Sequence, residues 1–283
     1  MGAMKDTDKD MLTLTLSGLE AGLRVRHIAT FDLYACAPED DAALVLADER
    51  FAGFDQLVVM EGQRLVGVLE RRTEPISGTV WTRMRPLDSS ILIPADAPLA
   101  DFIRPASGDR YRLVLTGTGI DGIVTRSDIL KLPVRLFVFT LVTHLELVMV
   151  QLIQLIYPND AWMARLSEGR REKIMDKFAE QKRKRLDPPL LEFTDFADKR
   201  AILEKTLNLG KRFERELKSI EDLRNSVSHA GNYSDGEEGL QRFAEQMSLT
   251  ERWIADLQSR INAAGNEHRA EEAAQDSAEP HEQ

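Results

Sequence analysis

Apolar and polar positions change rhythm once along this chain, near residue 132. Before that point the apolar residues come in short β-branched or leucine-rich runs. Residues 57–60, then Glu61-Gly62-Gln63, then 64–69 predict a strand, a tight turn and a second strand. The same grammar returns roughly 55 residues later, with strands over 112–115 and 120–124 and a turn over 116–119 between them. A helix candidate precedes each hairpin, 38–50 in the first case and 98–103 in the second. The second helix is shorter, and the loop after it, 104–110, is longer. An internally duplicated β-α-β-β-α unit is the simplest account.

After residue 132 the spacing becomes helical. A first helix is predicted over 133–156, with Pro133 at its first position and Pro158 just beyond its end. Its Leu141, Leu145, Val148, Leu152 and Leu155 form a stripe suited to core packing or a dimer seam. Further helices are predicted over 167–186, ahead of Pro188-Pro189, and over 194–209, with Phe196, Ile202, Leu203 and Leu207 apolar and Gly210 as breaker. The fourth carries Phe213, Leu217, Ile220 and Leu223 and stops at Gly231 and Asn232. The fifth covers 237–261, with Phe243, Met247, Leu249, Trp253, Ile254 and Leu257. Residues 263–283 are acidic and poor in apolar side chains, the composition of a disordered tail. The expected organisation is a lead-in (1–22), an α/β (α+β) domain (23–131), an all-α bundle (132–262) and the tail.

Composition changes this picture in three places. The lone cysteine, Cys36, excludes an intramolecular disulfide, which fits a cytoplasmic protein. Five histidines and one cysteine in no ligand spacing argue against a zinc site. The formal net charge of −10 argues against nucleic acid at first sight, but its distribution is uneven. Residues 132–263 carry 21 basic and 21 acidic side chains, and within them 165–185 holds nine basic against four acidic. The run Lys182-Arg183-Lys184-Arg185 attracts phosphate if it is not simply a solvated helix end. No secretory leader is read. Residues 133–157 are long enough to span a bilayer, but Arg135, His144, Glu146, Gln151 and Gln154 are costly in lipid, so a buried helix without membrane contact is expected.

Candidate chemistry concentrates in 221–231. Arg224, Asn225, Ser228 and His229 lie near the end of the fourth helix. Continued to His229, that helix places Asn225 and His229 on one face, and Arg224 and Ser228 about 100° round from them. Such a surface holds an oxyanion with Arg and moves a proton with His. The same residue types also serve as helix caps and dipole complements, and spacing alone leaves both readings open. His144 is read as a core or interface histidine.

Two stretches carry resemblances. Arg224-Asn225 followed by His229 resembles the Arg-Asn-x-x-x-His signature of the HEPN superfamily of helical domains. That resemblance implies a metal-independent endoribonuclease, with no cofactor for catalysis and with RNA as partner. Two copies of the motif would meet across a homodimer, in roles such as growth arrest, phage defence or a toxin neutralised by an antitoxin. Gly122-Ile123-Val124-Thr125-Arg126-Ser127-Asp128 resembles the ligand motif of tandem cystathionine-β-synthase (CBS) modules. It implies a regulatory adenine nucleotide, AMP, ADP, ATP or an adenosine dinucleotide, held at Gly122, Ile123, Thr125, Arg126 and Asp128. In that scheme Thr125 faces phosphate or ribose, Asp128 accepts from the ribose hydroxyls, and Arg126 or Arg85 reaches phosphate. Gly67 to Thr73 in the first unit departs, with Glu70 and Thr73 where Thr and Asp belong, so one working site per pair is expected. As plain physics, Thr125 and Asp128 can equally start a helix after a strand. Together the resemblances imply a CBS-pair sensor controlling a HEPN effector. The alternatives are a non-catalytic nucleotide-sensing dimer whose helical domain binds RNA or a partner protein, and a toxin whose CBS pair is only a scaffold.

Overall fold

The structure is a computed structural model that describes residues 14, 18, 21–71, 76–103, 110–184, 188–228 and 236–276. It divides into two compact units at 134/135.

The first unit, Gly22–Val134, holds two small sheets. In the first, β1 (Ala35–Cys36) runs parallel to β2 (Gln56–Glu61), and β3 (Arg64–Glu70) is antiparallel to both β2 and β4 (Arg85–Pro86). In the second, β5 (Leu92–Pro94) runs parallel to β6 (Tyr111–Leu115), which pairs antiparallel with β7 (Ile120–Thr125). Both hairpins stand where the alternation predicts them. Gly62, with φ of 63°, makes the first turn in a conformation that L side chains rarely adopt.

Helices α1 (Ala42–Ala47), α2 (Val80–Arg83) and α3 (Leu99–Ile103) complete this unit. The helix expected over 38–50 is shorter than its pattern. Asp41 accepts from the Ala43 and Leu44 amides and so fixes the start at Ala42. Asp48 then caps a separate turn, Glu49–Phe51, through the Arg50 amide.

The duplication extends to individual hydrogen bonds. Val25 N–H donates to the Ala97 carbonyl, and Val80 N–H to Asp40. Arg26 donates to Ala95, and Trp81 to Pro38. Leu99 donates to Leu23, and Ala42 to Gly78. Even the register shift recurs, between Val59 and Met60 in one sheet and Val114 and Leu115 in the other. Each repeat's opening segment therefore docks on the other repeat.

That exchange explains two glycines. Gly67 on β3 faces β4, and a Cβ there would stand 2.6 Å from the Arg85 carbonyl and 2.8 Å from Met84 Sδ. Gly122 on β7 faces the exchanged segment at Thr30, where a Cβ would lie 3.0 Å from the Phe31 ring and 3.1 Å from the Thr30 carbonyl. Gly67→Ala must push β4 away and is expected to destabilise by about 1–3 kcal/mol, as overpacking does. Gly122→Ala, meeting a movable ring, should cost less. Thermal melts of both variants test the order, and equal melting temperatures would contradict it.

Both faces of the first sheet are covered. Leu57, Val59 and Leu69 pack with Cys36, Ala42 and Val80. Val58 and Val68 point the other way, onto Ile91, Tyr111 and Leu113. This double burial is why the strands read as continuous apolar runs.

The second unit is helical: α4 (Leu132–Ile156, starting just inside the first unit), α5 (Glu168–Arg183), α6 (Phe196–Leu207), α7 (Gly210–Ser228) and α8 (Gly236–Asp276). Asn208 ends α6 in the left-handed conformation, φ 49°. Phe213, Leu217, Ile220, Leu223 and Val227 bury one face of α7, which packs against α6 and α8. Leu141, Leu145, Val148 and Leu152 of α4 are buried within this chain, so the stripe suited to a dimer seam is filled internally. Leu132, Leu136 and Phe139 on the same helix are exposed instead. By length and composition α4 passes for a membrane span, but most of its apolar window is covered by protein. Helix α8 runs on to Asp276, well past the end its apolar pattern predicts, through Ala- and Glu-rich sequence that favours helix without needing an apolar partner.

Candidate functional site

Helix α7 presents Arg224 and Asn225 by simple register. Leu223 and Val227 face the core, which leaves Arg224 half-buried beside them and Asn225 exposed. Arg224 Nη2 lies 3.9 Å from Glu146 Oε2 on α4, an ion pair beyond hydrogen-bond distance. The other Glu146 oxygen, Oε1, accepts from Lys199 Nζ of α6 at 2.9 Å. Lys199 also donates to the Thr194 carbonyl at 2.8 Å, and its side chain is 5% exposed. A buried ammonium is tolerated only when paired and hydrogen-bonded, and both conditions are met here. One carboxylate thus ties α4 to α6 and to the arginine of α7. His229 lies outside the described residues, as do Arg185 of the basic run and Thr73 of the first repeat.

Sequence spacing did not flag Glu146 and Lys199 as part of this arrangement. A signal was present: both are charged residues set into apolar stripes, Lys199 three positions after Phe196 and three before Ile202. His144 is buried in α4, with Nε2 3.4 Å from the Gln258 side-chain amide of α8.

In the first unit, the step from β7 into the turn Arg126–Leu130 brings Thr125 and Asp128 together. Asp128 is buried, and its Oδ2 accepts from the Thr125 amide at 2.5 Å and from the Thr125 hydroxyl at 3.1 Å. Its Oδ1 lies 2.6 Å from Lys131 Nζ, which donates in turn to the Ile28 carbonyl. Both carboxylate oxygens therefore have protein partners. Gly122 and Ile123 lie on β7, where Ile123 exchanges both backbone hydrogen bonds with Thr30. The Arg126 amide donates to the Arg110 carbonyl, and its side chain is half-buried. Arg85 donates to Ser90 Oγ at 3.1 Å and lies 3.8 Å from Asp88.

The first repeat is different at the matching position. Glu70 stands where the second has Thr125, and it accepts a hydrogen bond from the Tyr111 hydroxyl at 3.1 Å. Burial first, then the adjacent Glu70 carboxylate, push the Tyr111 hydroxyl well above the ordinary phenol range.

No protein-family model and no curated protein matches the chain. Solved structures similar to it include CBS domains. One covers 38% of this chain and 94% of its own, at 17% identity and a TM-score of 0.31. The CBS domain of a bacterial CNNM/CorC family Mg2+ transporter covers 45% of this chain and 84% of its own, at 19% identity and a TM-score of 0.33. The same domain in complex with ATP covers 42% and 93%, at 20% identity and a TM-score of 0.33.

Proposed function

We propose that this chain is a metal-independent endoribonuclease of HEPN type whose N-terminal unit is a CBS-pair sensor for an adenine nucleotide. The observation that carries the catalytic half is Arg224, half-buried with its Nη2 3.9 Å from Glu146 Oε2, next to an exposed Asn225 near the end of the helix that leads to His229. In this reading His229 takes the proton of a ribose 2′-hydroxyl, and O2′ bonds to the adjacent phosphorus. The P–O5′ bond breaks, and the leaving oxygen takes a proton from a second His229 in a homodimer. The products are a 2′,3′-cyclic phosphate and a 5′-hydroxyl, so atoms and protons balance without a co-reactant. Arg224 neutralises the charge of the phosphorane, and Asn225 orients His229 or the phosphate.

The sensor half rests on the Gly122-to-Asp128 step and on the asymmetry of the repeats. The first repeat has Glu70 and Thr73 where the second has Thr125 and Asp128, and Glu70 is tied to Tyr111, so the second repeat is the one that keeps the motif. Nucleotide binding requires Asp128 to exchange part of its contact with Lys131 for ribose hydroxyls. Asp128→Ala should therefore have two separable effects. Loss of the Thr125 cap lowers stability by about 0.5–2 kcal/mol without any ligand. Loss of the ribose acceptor weakens nucleotide binding by about 1–3 kcal/mol. Calorimetry of nucleotide-free protein with AMP, ADP, ATP and adenosine dinucleotides measures the second effect. No heat with any of them would leave the N-terminal unit as a scaffold, a reading that the full occupancy of the Asp128 carboxylate favours.

A further inference from the structure

The carboxylate that the sensor reading assigns to ribose also holds the entry of α4. Asp128 Oδ2 accepts from both the amide and the hydroxyl of Thr125. Oδ1 is left to Lys131 Nζ at 2.6 Å. Lys131 is the last residue before α4. Its ammonium also donates to the Ile28 carbonyl at 2.5 Å, across 103 positions of the chain. Its amide donates to the Asp128 carbonyl, and its carbonyl accepts from Val134 in the first turn of α4. Asp128, the opening segment and the start of the long helix therefore meet at one residue.

A ribose presents two neighbouring hydroxyls, and each needs an acceptor lone pair. A carboxylate oxygen has two such pairs. Thr125 takes both on Oδ2, so two hydroxyls reach Asp128 only at Oδ1, and only if Lys131 leaves. Lys131 is the donor that can leave. Its side chain is 40% exposed, so the ammonium recovers water on release. The Thr125 amide, held as the cap of the turn, would instead lose its acceptor.

We propose that Lys131 is a latch on the nucleotide site: it holds the ribose acceptor while the site is empty, and its release on binding loosens the start of α4. The latch rests on the sensor reading and supplies the regulation of that same site. It lowers affinity, because a ribose must displace it. It also carries occupancy to α4, because the residue displaced is the one that joins the turn to the helix.

The test is calorimetry on the nucleotide-free full chain with AMP and with 2′-deoxy-AMP, whose single 3′-hydroxyl Oδ1 accepts beside Lys131. Lys131→Met should bind AMP at least about threefold more tightly than wild type, the worth of a half-exposed cation on a buried carboxylate. 2′-Deoxy-AMP should gain no more than about twofold. The sign is what discriminates: a side chain that only supports the fold, or that meets the ligand's phosphate, would weaken binding when replaced. Lys131→Arg keeps a cation in reach and should stay within about twofold of wild type. Hydrogen exchange of the 131–136 amides should speed up when AMP is added to wild type, and should already be fast in Lys131→Met. If Lys131→Met folds poorly, wild type alone still decides. Its preference for AMP over 2′-deoxy-AMP should be under about tenfold, because the second hydroxyl only replaces Lys131. A larger preference overturns the latch, as does a smaller gain or a loss of AMP affinity in Lys131→Met, or exchange that AMP leaves unchanged. Wild type that binds neither probe overturns the sensor reading itself, and the latch with it.

Discussion

His229→Ala is expected to abolish EDTA-resistant cleavage of single-stranded RNA by this chain, and Arg224→Ala to do nearly the same. General acid–base catalysis by a positioned side chain contributes about 100-fold to 10,000-fold in rate. Loss of a charge-stabilising donor costs about 100-fold to 1,000-fold. Imidazole is the side chain whose ordinary pKa lies closest to neutral, so no other group in the motif can both accept and return a proton near pH 7. Arg224 is 38% exposed, so its removal should leave the melting temperature nearly unchanged. Glu146→Gln offers a graded control. It keeps the size of the side chain but removes the charge 3.9 Å from Arg224, so the rate should fall by less than in Arg224→Ala. It also leaves Lys199 without its carboxylate, so the melting temperature must be read alongside the rate. The assay reads cleavage and the 2′,3′-cyclic phosphate at the new end. A His229→Ala protein that cleaves at the wild-type rate assigns the activity to another site or to a contaminant.

Much of the fold is visible in the sequence, because both hairpins are local events. Short apolar runs on either side of Glu61-Gly62-Gln63 and of 116–119, each broken by a turn, need no distant partner to be recognised. The offset between Gly67 and Gly122 likewise exposes the duplication. The exchange of opening segments is invisible, because Val25 and Ala97 carry no pattern that announces their pairing. The end of α8 escapes for the opposite reason: Ala- and Glu-rich sequence suits both a solvated helix and a disordered tail. At the candidate site, Arg224 and Asn225 stand out as a motif. Glu146 and Lys199 do not, since their partnership spans 53 residues and each alone reads only as an expensive charge in an apolar stripe. Asp128 shows a further limit. Its position in the motif is readable, but not the Lys131 contact that competes for its carboxylate.

Asp198→Ala should be among the most destabilising single changes in the helical unit, because one buried carboxylate both caps α6 and receives Arg170 there. Asp195 and Asp198 form a reciprocal cap at the start of α6: the Asp195 amide donates to Asp198 Oδ2 at 2.9 Å, and the Asp198 amide to Asp195 Oδ1 at 3.0 Å. Asp198 also receives Arg170 of α5 in a two-pronged contact, with Nε 2.7 Å from Oδ1. Its side chain is 8% exposed. Breaking a buried pair by removing one partner costs about 3–5 kcal/mol, and the lower end applies because Arg170 keeps Asp195 at 2.6 Å. Burial alone would raise this carboxyl, but the Arg170 hydrogen bonds and the Asp195 amide outweigh it and hold the group below the ordinary carboxylate range. A depressed folded value stabilises above the unfolded pKa, so the contribution is complete at neutral pH. It is lost as pH falls below about 4 and Asp198 takes up its proton. The same helix carries Lys199, so a loosened α6 also loosens Glu146 and the anchor of Arg224. Urea unfolding of the full chain at pH 7 and pH 3 measures the effect. The wild-type advantage over Asp198→Ala should be large at pH 7 and shrink at pH 3. A difference under about 0.5 kcal/mol at pH 7, the size of an ordinary surface substitution, would show that the carboxylate is not holding α6 in place.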